Sequence, residues 1–272
     1  MAILADQHMH SSFSFDSDAP MRSMVESAIE KGLTVINITE HNDSMYPVSK
    51  EFPAGSWDLN VDSYLYDLLM LREEFEKKIH IGFGIELGLQ ECAFKENAII
   101  SGSQRFDFII GSIHLVNGVD TYDPKYYEGR GTKEAFNEYF DALLRNIKKF
   151  RNFDVLGHLD YLTRKIPEGE DSYNPLDYWD KITEIFSVLI ENGKGLELNT
   201  QALMRGLKNP NPGLTVLKKY KEMGGEFITI GSDAHKPEGI AGGFDVAEQL
   251  LKDAGFKYYT VFRNREPIPY KL

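Results

Sequence analysis

The sequence predicts an α/β fold, a parallel-stranded barrel of TIM-like size. Three observations carry the prediction. Seven short apolar runs, rich in β-branched residues, recur along the chain. Amphipathic stretches of helical period lie between them. The length, 272 residues, accommodates seven or eight strand–helix units. Alternating strands and helices build a parallel sheet through right-handed crossovers, and units of that number close into a barrel. An open doubly wound sheet is the alternative. No G-x-G-x-x-G follows the first run, so a dinucleotide-binding version of it gains no support.

The first run is Met1–Ala5, and a helix over 20–31 follows, stopping at Gly32. The second run is Thr34–Thr39. Leu65, Leu68, Leu69 and Phe75 then mark a helix of less regular period. Ile79–Leu87 and Phe106–Leu115 are the third and fourth runs. Phe136, Tyr139, Phe140, Leu143, Leu144 and Ile147 share one helical face. Phe153–Leu159 comes fifth, and Ile182, Ile185, Phe186 and Leu189 form the next apolar stripe. Gly195–Thr200 and Glu226–Gly231 are the sixth and seventh runs. Helices over 212–223 and 244–254 end at Gly224 and Gly255, and a weaker eighth run spans Tyr258–Phe262. The unbroken alternation, with no linker or repeat, predicts one domain over residues 1–272. Two long connections, 42–60 and 116–131, are rich in Gly, Pro, Asp and aromatic residues. They read as walls of a functional site or as tolerated surface insertions.

Composition narrows the function. Thirty Lys and Arg against 42 Asp and Glu leave a formal charge of −12. That balance argues against a nucleic-acid coat or an anionic-membrane binder. An anionic substrate then requires positive charge supplied by the site itself. The single cysteine, Cys92, makes no internal disulfide, which suits a reducing cytoplasm. The opening MAILADQHMH has neither a basic segment nor a long apolar run, so no signal peptide or membrane span is expected.

The histidines carry the main signal. His8 and His10 follow the first run in D-Q-H-M-H, and His41 follows the second in T-E-H. His114 in G-S-I-H, His158 in G-H-L-D and His235 in G-S-D-A-H stand at the ends of the fourth, fifth and seventh. Only His80 stands at the start of a run and reads as a strand-start residue. The C-terminal strand ends of a parallel barrel share one rim, where active sites are built. Six of the seven histidines therefore converge there, with Asp16, Glu86 and Asp233 interleaved. Imidazole is a common ligand for zinc, iron and manganese. Asp6 and Glu40, adjacent to these positions, read as orienters of imidazoles or as structural groups.

Nine N and O donors exceed the needs of one ion and suit a multinuclear site with open positions. Glu86, on a central strand, is the best bridging candidate. Three divalent ions, set against three carboxylates and one hydroxide, leave about two positive charges, matching a phosphate monoester dianion. Paired ions activate water and clamp the attacking and leaving oxygens of an in-line displacement. No nucleophile elbow, Walker loop or cysteine-nucleophile motif competes with a metal-bridging hydroxide.

In this order, D-Q-H-M-H, T-E-H, G-x-E, G-S-I-H, G-H-L-D and G-S-D-A-H resemble the polymerase-and-histidinol-phosphatase (PHP) superfamily, over residues 6–235. The resemblance implies a distorted (β/α)7 barrel with a trinuclear site. It assigns His8, His10, Glu86 and Asp233 to a first ion and Glu86, His114 and His158 to a second. Asp16, His41 and His235 fall to a third. Many members carry His where this chain has Asp16, itself a competent ligand. The length, G-H-L-D-Y-L-T-R-K and E-L-N-T-Q-A-L-M-R-G are most similar to the monofunctional histidinol-phosphate phosphatases of that superfamily. That similarity implies hydrolysis of L-histidinol phosphate in histidine biosynthesis, with three divalent ions (Zn, Fe or Mn) as cofactors.

On this reading Glu86, Asp233 and His235 are the catalytic set, with Asp233, His235 and a metal-bound water as candidates for the general acid. Arg164 and Arg205 grip the phosphate through guanidinium forks. Asn199 binds phosphate or the substrate's polar tail. Asp160 or Glu197 takes the substrate ammonium, and Ser112 donates to a phosphate oxygen. The partner is then a small phosphate ester, with no nucleic acid and no membrane; oligomeric state is unreadable. Three rivals are a phosphoesterase of the same superfamily acting on nucleotides, oligonucleotides or phosphotyrosine, a barrel amide hydrolase, and a non-catalytic metal-bound module. The first lacks clustered basic charge beside its aromatics Tyr122, Tyr126 and Tyr127.

Overall fold

The computed structural model describes residues 3–272. Seven parallel strands stand side by side in sequence order. They are β1 (Ala5–Asp6), β2 (Val35–Asn42), β3 (His80–Gly88), β4 (Phe108–Ser112), β5 (Val155–Leu156), β6 (Gly195–Asn199) and β7 (Ile228–Gly231). Backbone bonds join the two ends of the sheet: Gln7 N–H to Ile230 O (2.9 Å), Asp233 N–H to His8 O (2.8 Å) and His10 N–H to Ala234 O (2.9 Å). The strands therefore close into a barrel, and the open-sheet alternative falls.

A main helix follows each strand, with a short extra turn of helix (Gln201–Met204) after β6: α1 (Met21–Glu30), α2 (Val61–Phe75), α3 (Phe94–Ser103), α4 (Thr132–Lys149), α5 (Trp179–Glu191), α6 (Leu214–Glu222) and α7 (Phe244–Asp253). The amphipathic stripes face the sheet. In α5 the buried residues are Ile182, Ile185, Phe186 and Leu189, as the period predicts. In α2 the buried set is Tyr64, Leu68, Leu71 and Phe75, whereas Leu69 is exposed. Sequence reading had no sign of α3, because the side chains it buries are Asn97 and Ser101. Asn97 donates to Gly88 O and Ser101 to Asn97 O, so no apolar stripe marks the helix.

Along β3, glycine at alternate positions lets β2 side chains pack close against the strand. A Cβ on Gly82 would meet Asn37, and one on Gly84 would meet Thr39. The lower interior is an apolar plug of Phe108, Ile110, Val155 and Phe262. Phe262 belongs to the expected eighth run, which is no barrel strand. It lies in β8 (Tyr258–Arg263), paired antiparallel with β9 (Glu266–Lys271). Asn264 and Arg265 (φ 51° and 65°) make the two-residue turn, whose left-handed geometry matches strand twist. Phe262 stacks on Phe108 (5.1 Å) and is bonded to Gln7 and Asn37, stoppering the end where β4 and β5 begin.

The first, fourth and fifth strands are shorter than their apolar runs, and Met1 and Ala2 of the first run lie outside the described residues. Beyond β4 the chain leaves the ladder for a small hairpin, Leu115–Val116 with Val119–Asp120. Beyond β5 the His158 N–H binds the Glu197 side chain (2.9 Å) instead of a neighbouring strand. At the C-terminal rim, side chains replace ladder bonds.

Candidate metal centre

The histidine-bearing motifs meet at that rim. His41 and Glu86 are register partners on β2 and β3. His8 and His10 follow β1, His114 and His158 stand two residues past β4 and β5, and Asp233 and His235 follow β7. Asp16 comes from the connection between β1 and α1. Glu86 is the hub. Its Oε1 lies 2.8 Å from His158 Nε2 and 3.4 Å from His114 Nε2. Its Oε2 lies 3.0 Å from His41 Nδ1, 3.2 Å from His8 Nε2 and 3.4 Å from His10 Nε2. Asp233 Oδ1 stands 3.4 Å from His10 Nε2 and 3.7 Å from His8 Nε2. Asp16 Oδ2 is 3.1 Å from His235 Nε2 and 3.7 Å from His41 Nε2. His80, by contrast, opens β3 at the opposite end.

The ring nitrogens behave as a ligand set. His8 Nδ1 donates to Glu197 (2.6 Å), His10 Nδ1 to Ser14 Oγ (3.1 Å), His114 Nδ1 to Asp43 (2.8 Å) and His235 Nδ1 to Asp233 O (3.0 Å). Ser14 has its own hydroxyl proton on Glu40 (2.5 Å), so it accepts from His10. Each bond fixes the Nδ1–H tautomer and aims an Nε2 lone pair inward. The Nε2 atoms of His8 and His10 consequently face one another at 3.0 Å. Glu86 Oε2, His41 Nδ1 and His235 Nε2 are buried with no hydrogen-bond partner. A buried carboxylate oxygen among imidazole lone pairs is the donor chemistry of divalent ions. Three overlapping triads have ligand atoms within 4.8 Å of one another: His8–His10–Asp233, His41–Glu86–His114 and His10–His41–His235. These residues fit a multinuclear cluster.

Electrostatics give the same picture. Burial would raise the carboxyl of Glu86, but His8, His41 and His114 hold it well below the usual range. Asp233 is likewise held down, against its burial, by His8 and Arg164. Burial opposes charge on His41, yet Asp16 and Glu86 push it up to about 9. Burial with the neighbouring His41 and His235 drives His10 down. Protons thus stand in the metal-free chain where cations would neutralise the acids.

Close packing explains the glycines in the motifs. A Cβ on Gly231 would lie 2.3 Å from His8 Cβ and 2.4 Å from Glu197 Oε1. One on Gly157 would lie 2.4 Å from Ser112 Oγ, and one on Gly88 1.9 Å from Asp43 Oδ1. Asp233 itself is left-handed (φ 52°), a conformation that Asp tolerates better than most residues and that collects at functional sites.

The proposed substrate-facing residues divide. Arg205 is exposed at the rim, over the Tyr122 ring (5.5 Å), and lines the cavity above the cluster. Arg164 lines it too, but four of its five N–H groups bind Asn199, Asn211, Gln201 and Asp233 (2.7–2.9 Å). A free two-pronged fork is therefore corrected to one remaining donor on a guanidinium that anchors Asp233. Asn199 is fully buried, giving its amide to Glu197 and Asp233 and its oxygen to Arg164 and the Gln201 N–H. It has nothing left for phosphate. Asp160 is buried against Asn211 (2.8 Å) and faces a neighbouring cleft; burial pushes it up to about 6. Glu197 is spent on His8, His158 and Asn199, so neither acid is placed for an ammonium. Ser112 donates to Glu86 (2.6 Å), not into the cavity. Asp6 accepts backbone N–H groups of His8, Ser232 and Ala241, and Glu40 is held by Ser11 and Ser14. Sequence reading missed Asp43, Ser14 and Gln201, and the wall residues Tyr46 and Trp57. The sole signal was the aromatic content of 42–60, and both long connections do line the cavity.

Known proteins bear on this geometry. The PHP domain family matches residues 6–201. The histidinol-phosphatase of Lactococcus lactis subsp. lactis (strain IL1403) is 35% identical, over 94% of this chain and 93% of its own. A histidinol-phosphatase of Saccharomyces cerevisiae is 22% identical, over 97% and 94%. The crystal structure of the L. lactis histidinol phosphate phosphatase, complexed with zinc, L-histidinol and phosphate, superposes with a TM-score of 0.88. It is 31% identical, with 97% of this chain and 98% of that one covered. A match across most of the chain, on a barrel whose rim gathers this imidazole–carboxylate cluster, places the chain in the PHP domain family.

Proposed function

We propose that this chain hydrolyses L-histidinol phosphate to L-histidinol and phosphate. The observation that carries the reading is the gathering of five imidazoles around buried Glu86, with His235 beside Asp16 and Asp233, beneath a cavity that also holds Arg164 and Arg205. The similarity to L. lactis histidinol phosphate phosphatase supports the substrate. The cofactors are three divalent ions. Zinc accompanies the L. lactis structure, and an N/O donor set suits iron or manganese as well. Bound ions supply an activated water and neutralise the charge of the transferring phosphoryl group.

His8, His10, Glu86 and Asp233 hold the first ion. Glu86, His114 and His158 hold the second, and Asp16, His41 and His235 the third. Glu86 bridges because both its oxygens face imidazoles. Arg164 fixes Asp233 and offers its remaining N–H to the cavity, while exposed Arg205 supplies the free fork. His235 and Asp16 flank the solvent side, where the leaving oxygen departs: side-chain exposure rises from 1% at Glu86 and 4% at Asp233 to 19% at His235 and 39% at Asp16. The ligand is a small phosphate ester and not a nucleic acid, in keeping with the net charge of −12. Among the described residues no helix is long and apolar enough to cross a membrane. A cytoplasmic location suits the free Cys92.

The test combines elemental analysis with phosphate release across a panel of monoesters. About three divalent ions per chain and a preference for histidinol phosphate are expected. A preference for nucleotides by orders of magnitude overturns the substrate and leaves the metal cluster standing.

A further inference from the structure

We infer that Asp120 anchors the ammonium group of the substrate and selects phosphate esters that carry one; the inference rests on the phosphomonoesterase reading above. Four carboxylates line the cavity: Asp16, Asp43, Asp120 and Asp233. Three of them are committed. Asp16 faces His235 and His41, Asp43 holds His114, and Asp233 is bound by Arg164 and faces His10. Asp120 faces no imidazole, and no Lys or Arg among the described residues forms an ion pair with it. Its Oδ2 accepts the Tyr46 hydroxyl (2.6 Å) and its Oδ1 accepts the Tyr122 N–H (2.7 Å). Each oxygen keeps a lone pair for a further donor.

The carboxylate is held in place. Burial and Asp120 itself hold the Tyr46 phenol well above its ordinary range, so Tyr46 remains a donor. Tyr46 stacks on Trp57 (4.9 Å), which meets His41 edge-on (5.7 Å). Two further donors on this wall, Trp57 Nε1 and the Tyr122 hydroxyl, are buried and have no partner. The same cavity carries Arg164 and Arg205, from the segments after β5 and β6, with Arg205 over the Tyr122 ring (5.5 Å). One cavity thus holds both charges: two guanidinium groups, and a single uncommitted carboxylate among aromatic donors. A ligand that carries a phosphate, an ammonium and a polar ring satisfies both the guanidinium groups and the carboxylate. A neutral-tailed ester leaves Asp120 facing nothing.

The experiment compares metal-loaded wild type, Asp120→Asn and Asp120→Glu on L-histidinol phosphate and on its desamino analogue, in which hydrogen replaces the ammonium. The Asn variant should raise KM for the aminated ester by about 10- to 100-fold, the range for losing a hydrogen bond between charged groups, with a smaller change in kcat. Its effect on the desamino ester should be at least about tenfold smaller, and the Glu variant should recover part of the loss. Circular dichroism and metal content of each variant exclude a folding defect. Equal losses on the two esters overturn the assignment. Failure of the substrate reading is visible separately, as a wild-type preference for another class of monoester. The Asp120 claim is then read from an aminated and a desamino ester of that class, and equal loss there overturns it too.

Discussion

Glu197 shows how much one side chain settles at this site. Its carboxylate accepts three hydrogen bonds, from His8 Nδ1, His158 N and Asn199 Nδ2, and has no contact that calls for a donor. A glutamine of the same shape would turn an NH₂ toward one of these donors. Glu197→Gln is therefore expected to weaken metal retention about 10- to 100-fold, the usual cost of losing an orienting group behind a ligand. Metal content after dialysis against graded chelator measures it, and unchanged retention would remove Glu197 from its positioning role. Asp43 does the same for His114, and Ser14, backed by Glu40, does it for His10. The inward-facing groups were legible in the sequence because imidazole and carboxylate are rare enough at strand ends to stand out. Their supporters were not, since an Asp or Ser in a loop looks the same whether it holds a histidine or caps a turn. Asn199 and Asp160 illustrate the converse: strand-end polar residues that resemble ligand contacts but are consumed by neighbours from distant segments.

The two ends of the barrel carry different duties. At the rim, strands give up ladder bonds so that side chains can take the backbone N–H groups, and glycines such as Gly231 make room for His8 and Glu197. At the other end the C-terminal hairpin plugs the barrel with Phe262 against Phe108, Ile110 and Val155. Phe262→Ala should cost about 3–5 kcal/mol of stability. Urea denaturation reads the loss, and elemental analysis should find the folded variant as metal-rich as wild type. A variant that folds normally but comes without metal would show that the two ends are coupled. Strand and helix positions were legible from periodicity. The eighth run was not, because five apolar residues read alike in a barrel strand and in a hairpin lying across its mouth. Helix α3 escaped because its buried face is polar.

At the scale of the molecule, a chain of net charge −12 folds around buried acids that imidazole protons and, at Asp233, the Arg164 guanidinium offset without metal. Removing bound ions should therefore lower the melting temperature, and adding zinc back should restore it. A ligand at a hundred times its dissociation constant stabilises the fold by about 2.7 kcal/mol per site. Calorimetric scans with and without chelator test this, and an unchanged melting temperature would mean that the cluster contributes nothing to the fold.

Periodicity, chain length and the motif positions were enough to derive a barrel with histidines gathered on one rim. Both follow from local rules: the period of burial says strand or helix, and a parallel barrel sends every strand end the same way. The direction in which each polar side chain spends its hydrogen bonds came only with the folded chain. Those bonds link residues 189 positions apart in His8 to Glu197 and 255 apart in Gln7 to Phe262, and nothing local encodes which partner will be near. Arg164 thus turned from a free phosphate fork into the brace of Asp233, and Asp120, unremarked in its loop, emerged as the cavity's one uncommitted carboxylate.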